Sequence, residues 1–120
     1  MYVSAWHIFQ HHNHDLNSKV DGTVTPVGGY TISNENIYRI GNTCFVRFAI
    51  NGQINITTTN QTLATISDEM RPSKITETTY LPNSAGKSIK ARIIQDGSVV
   101  FQGIENTSCT WINVVCIYCK

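Results

Sequence analysis

SIKARIIQDGSVVFQ, residues 88–102, decides the fold. Two runs of alternating apolar and polar residues, 88–95 and 98–102, flank Asp96-Gly97. Alternation at every second residue places one set of side chains on each face of an extended strand. A two-residue Asp-Gly connection is suited to the positive φ values of a tight hairpin. Residues 88–102 are therefore expected to form an antiparallel hairpin with one face toward a core.

The same pattern extends in both directions. Toward the C-terminus, residues 110–118 carry Ile112, Val114, Cys116 and Tyr118 on one side and Trp111, Val115 and Ile117 on the other. A strand apolar on both sides has to be covered on both. One side is expected to pack on the core and the other on a neighbouring chain. Toward the N-terminus, residues 43–50 alternate Cys44, Val46, Phe48 and Ile50 against Thr43, Phe45, Arg47 and Ala49. Shorter strand-like segments are 37–40, 54–59, 63–66 and 75–81. Asp21-Gly22, Gly28-Gly29, Gly41-Asn42 and Asn51-Gly52 read as turns between them. Helical periodicity is confined to residues 2–16, enough for one or two turns. About eight strands at this spacing predict one antiparallel all-β sandwich, jelly-roll-like. The expected organisation is an N-terminal connecting segment over 1–25 and a head domain over 26–120.

The bulk numbers agree with a single domain. There are 120 residues, enough for one real core and too few for two. Only 14% are charged, against roughly 25% in an average soluble chain. Asn, Thr, Ser and Gln make up the polar surface instead. With a net charge of +1 and no basic run, nothing steers the chain to nucleic acid. No apolar stretch approaches the roughly 20 residues of a membrane helix, so membrane insertion is not expected. The first residues lack the charged start and apolar centre of a secretory signal, so export by that route is not expected.

Cys44, Cys109, Cys116 and Cys119 leave three readings open: reduced thiols, a disulfide or a metal site. Cys116 and Cys119 have the spacing of half a zinc site. In a strand, however, positions three apart point to opposite faces, which keeps the two sulfurs from one ion. Cys44 and Cys116 both lie in strand-like runs, where a free thiol behaves as a small buried hydrophobe.

Residues 63–82, LATISDEMRPSKITETTYLP, place an acidic turn and an Arg-Pro step between two strands. Pro72 fixes its own φ, and the pair is expected to hold Met70 extended. Asp68 and Glu69 are suited to accept backbone hydrogen bonds in the turn. Upstream, Tyr38-Arg39-Ile40-Gly41-Asn42 leads into the strand of residues 43–50. Downstream come the Asp-Gly hairpin and an aromatic-containing final strand. In this order the segments resemble the C-terminal head domain of bacteriophage tail fibres and receptor-binding proteins, over residues 26–120. Many members of that family carry Leu-Pro before the Arg-Pro turn, where this chain has Ile66-Ser67-Asp68-Glu69.

The resemblance implies a homotrimeric head at the tip of a tail, in contact with other virion tail proteins. It would be assembled in the host cytoplasm and would attach the virion to a host cell-surface glycan. Two other readings stand beside it: a virion structural or decoration protein with no receptor role, and a glycan-cleaving tail module. No nucleophile elbow, phosphate loop or dinucleotide fingerprint is present, and no pair of carboxylates has an evident glycosidase arrangement. A non-enzyme is expected. Sugars are held by aromatic faces and planar polar groups. Trp111, Asn113, Tyr80 and Arg71 are of that type and are the ligand-binding candidates. His7, His11, His12 and His14 precede the head. The resemblance implies that an H-x-H pair such as His12 and His14 can coordinate iron across three chains. His7 and His11, at i and i+4, have zinc-compatible spacing on a helix. The alternative is packed or solvated histidines with no cofactor.

Overall fold

The computed structural model describes residues 18–120. The four histidines, including the metal candidates His12 and His14, lie outside the described residues, as does the helix expected over 2–16. Among the described residues nine strands follow one another: β1 (Lys19–Asp21), β2 (Val24–Pro26), β3 (Thr31–Ile40), β4 (Thr43–Ile56), β5 (Gln61–Ile66), β6 (Thr76–Thr78), β7 (Ile89–Ile93), β8 (Ser98–Gly103) and β9 (Thr107–Cys119). They form two antiparallel sheets, ordered β1-β3-β4-β9 and β2-β5-β8-β7-β6. The protein is a β-sandwich. In the second sheet β6, β7 and β8 are consecutive neighbours and β5 lies beside β8, which is a Greek-key order. Strands β1 and β2 pair with β3 and β5. The sheets thus begin at Lys19, ahead of position 26.

Alternation decides what is inside. Cys44, Val46, Phe48 and Ile50 of β4 are buried, and so are Ile112, Val114, Cys116 and Tyr118 of β9. From the other sheet Ile89, Ala91, Ile93, Val99 and Phe101 meet them. Burying each large side chain contributes roughly 1.5–3 kcal/mol before the entropy of ordering it is subtracted. No side-chain polar atom is left buried without a hydrogen bond among the described residues.

The β7–β8 hairpin forms as expected, with a different turn. Ile93 pairs with Val99. The Ile94 amide donates to the Ser98 carbonyl (3.0 Å), and the Gly97 amide to the Ile94 carbonyl (2.9 Å). The connection is thus three residues, 95–97, not two, with Gly97 alone at positive φ (+91°). This is a four-residue turn closed by a glycine bulge, which relieves Asp96 of a left-handed conformation. Asp96 instead accepts the Ser98 amide at 2.9 Å.

Asn51-Gly52 is not a turn. β4 runs through it for 14 residues and bulges there, between its pairings with β9 at Asn51 and Ile54. The local signal is overridden because β4 is paired on both sides, to β3 and β9. Gly52 has φ +141°, and a Cβ there would lie 3.1 Å from the Tyr30 ring.

The acidic corner is a 3₁₀ turn, Asp68–Met70. Met70 is therefore helical and fully buried, not extended. The extended residue is Arg71 (φ −69°, ψ 130°), the one directly before the proline, where the ring's Cδ clashes with helical geometry. Tyr118 donates its hydroxyl to the Met70 carbonyl and ties the corner to β9.

Candidate functional site

The segment from Thr79 to Ser88, which links β6 and β7, is built around one side chain. Asn83 is buried and fully engaged. Its Nδ2 donates to the carbonyls of Leu81 and Lys87 (2.8 Å each). Its Oδ1 accepts the amides of Ala85 and Lys87 (3.1 and 3.3 Å). An asparagine so used fixes a loop much as a backbone turn would. The loop is fastened to the edge strand β9 as well. The Asn113 amide donates to the Pro82 carbonyl (2.9 Å), and the Ser84 amide to the Trp111 carbonyl (3.2 Å).

This anchoring holds Tyr80 in an unusual state. Its φ is +58°, in the left-handed region that costs a non-glycine residue about 1–2 kcal/mol. The side chain is nevertheless 80% exposed. Strain at an exposed aromatic has no packing return, and such outliers cluster at ligand sites. Beside Tyr80 a depression of about 340 Å³ is lined by Trp111, Pro82, Asn83, Gly86, Lys87 and Ser88. Trp111 is 38% exposed there. A smaller hollow of about 180 Å³ next to it contains Asn113, Arg47 and Val115, and shares Pro82.

Of the four candidates from sequence, Tyr80 and Trp111 line one depression, and Asn113 borders it. Arg71 does not join them. It pairs with Asp68 at 2.8 Å and packs by Gly97, at the Ile93 end of β7, whereas the Tyr80 loop meets the Ile89 end. Sequence reasoning missed Asn83, Lys87 and Ser88. The Pro82-Asn83-Ser84-Ala85-Gly86 run marks a loop but not that its asparagine turns inward.

The outward side of the four-stranded sheet is a second feature. Val115 (55%) and Ile117 (65%) stand exposed on β9. Ile117 lies opposite Phe45 on β4, and Phe45 stacks on Tyr38 of β3 with centroids 4.9 Å apart. Lys19 caps that stack, its ammonium 4.9 Å from the Tyr38 centroid. The strand expected to be apolar on both sides is so, and one of those sides faces outward.

The cysteines are unbonded; Cys44, Cys109 and Cys116 are buried and Cys119 is exposed. Cys116 and Cys119 face opposite ways, as strand geometry requires. Burial pushes the Cys116 thiol up to about 11 and raises Cys44, Cys109 and the Tyr118 phenol as well. These groups are held neutral at physiological pH. Among the described residues no cluster of three or more His, Cys, Asp or Glu has the makings of a metal site. Several carboxylates are engaged locally: Glu77 with Lys90 and Arg92, Glu105 with Lys87, and Glu35 with the Val24 amide.

No protein-family model matches the sequence, and no curated protein is significantly similar to it.

Proposed function

We propose that the protein is a non-catalytic attachment head of a bacteriophage tail, binding a host surface saccharide in the Tyr80–Trp111 depression. The observation that carries the reading is Tyr80, strained and exposed beside Trp111 on a loop that Asn83 holds rigid. Aromatic faces supply the apolar side of sugar recognition. The hydroxyls of Tyr80 and Ser88, which line the depression, supply the polar side. A rigid loop also lowers the entropy lost when ligand binds.

The proposed assembly is a homotrimer on the virion, with the outward side of the four-stranded sheet as the contact between copies. Exposed Val115 and Ile117 beside the Tyr38–Phe45 stack form the kind of contiguous apolar patch that monomers rarely leave bare. The same patch favours a second reading, a structural trimer that builds the particle without touching the host.

The test is capture of the purified protein on immobilised bacterial capsular, wall and outer-membrane polysaccharides. The attachment reading predicts retention on at least one, with Tyr80→Ala and Trp111→Ala each lowering affinity about tenfold or more. Retention on none favours the structural trimer. Release of reducing ends during incubation would overturn the non-catalytic assignment.

A further inference from the structure

Tyr80 and Ser88 line two hollows, not one. The second, of about 260 Å³, is lined by Thr79, Lys90, Gln102 and Ile104 and does not include Trp111. None of those residues stood out in the sequence. Ile104 is 78% exposed, a bare aliphatic side chain just past the end of β8. The floor is fixed. Gln102 donates to the Thr58 carbonyl (2.7 Å) and accepts from Arg92 (3.1 Å). The cations around the two hollows are balanced: Lys90 lies 3.8 Å from Glu77, and Lys87 lies 3.4 Å from Glu105. Apolar platforms therefore stand at Trp111, Tyr80 and Ile104, with polar groups between them and no surplus charge.

We propose that the site takes an extended, uncharged oligosaccharide, which runs from Trp111 past Tyr80 to Ile104 and occupies both hollows. This rests on the saccharide reading above and adds to it the length and neutrality of the ligand. A single sugar fills one hollow only. A chain long enough to reach both gains the contact at Ile104 without a second loss of translational freedom.

The probe is a size-fractionated ladder of fragments, one to six repeating units, cut from whichever polysaccharide retains the protein. Affinities are measured by calorimetry. The expected result is a gain of about tenfold or more between the shortest fragments and those spanning both hollows. Ile104→Ser removes that gain. Because Ile104 is exposed, the variant retains the fold, which circular dichroism verifies. Affinity independent of length, or a gain that survives in Ile104→Ser, overturns the two-hollow site while leaving saccharide attachment standing. Retention only of charged polysaccharides, with binding that collapses in salt, overturns neutrality. Retention of no polysaccharide overturns the attachment reading itself.

Discussion

The two outward faces of the sandwich are finished differently. On the five-stranded sheet, Lys90, Arg92 and Gln102 alternate with buried neighbours, and Glu77 lies within 3.8 Å of Lys90 and 3.6 Å of Arg92. Arg92 reaches on to Asn60 and Gln102. That face is a solvated network. The four-stranded sheet presents Tyr38, Phe45, Val115 and Ile117 instead, with Arg47 opposite Val115. Both sheets obey the same alternation inside, so the requirement to fold does not explain the contrast. An outward apolar face of this kind is the ground for the proposed contact between copies.

The comparison breaks first if the inner faces are unequal. Phe48 of β4 and Phe101 of β8 are both fully buried. Phe48→Ala and Phe101→Ala are each expected to cost about 3–5 kcal/mol in denaturant unfolding. A cost under about 1 kcal/mol at either would show that its sheet is not packed as described.

The inner faces do differ in one respect, which pH sharpens. Cys44, Cys109, Cys116 and Tyr118 all lie on the four-stranded sheet, whereas the facing strands β7 and β8 bury only apolar side chains. The folded Cys116 thiol sits at about 11 against an ordinary 9.0. A raised value means the neutral form is stabilised by folding. That contribution is complete below the ordinary value and is lost as pH rises through the folded one. Stability should therefore fall between about pH 9 and 11, and Cys116→Ala should flatten that fall. A pH-independent unfolding midpoint over this range would contradict the burial of these groups.

Much of this was legible in the sequence. Alternation alone sorted both sides of residues 110–118 and 43–50, because period two leaves no other assignment once one side is buried. The turns were less legible. Asn51-Gly52 carries as strong a local signal as Asp96-Gly97, yet it lies within β4, where pairing on both sides outweighs it. Of the candidate site, the aromatic members could be named by chemical type. Their convergence depends on Pro82 and Ser84 fastening the loop that Asn83 shapes to β9, a long-range event with no local signature. Arg71 has the same chemistry but lies at the other end of β7, away from Tyr80 and Trp111. Ile104 carries no signal in the sequence that sets it apart from other isolated aliphatic residues.

A smaller effect concerns Tyr80, at the border between the two sheets. Tyr80→Gly should raise stability by up to about 1 kcal/mol by relieving the left-handed strain, while polysaccharide retention is lost. A destabilised variant would mean that the ring packs rather than waits for ligand. Smallest is Glu77→Gln, which removes both ion pairs of the polar face. Exposed pairs are worth at most about 1 kcal/mol, and the loss should vanish in high salt.

The contrast between the faces is tested most directly by the mass in solution, from light scattering at micromolar concentration. The expected mass is about three times the 13.4 kDa of one chain, falling to one chain in a Val115→Lys, Ile117→Lys double variant that remains folded. A wild-type mass of 13.4 kDa at every concentration tried would contradict association through the four-stranded sheet.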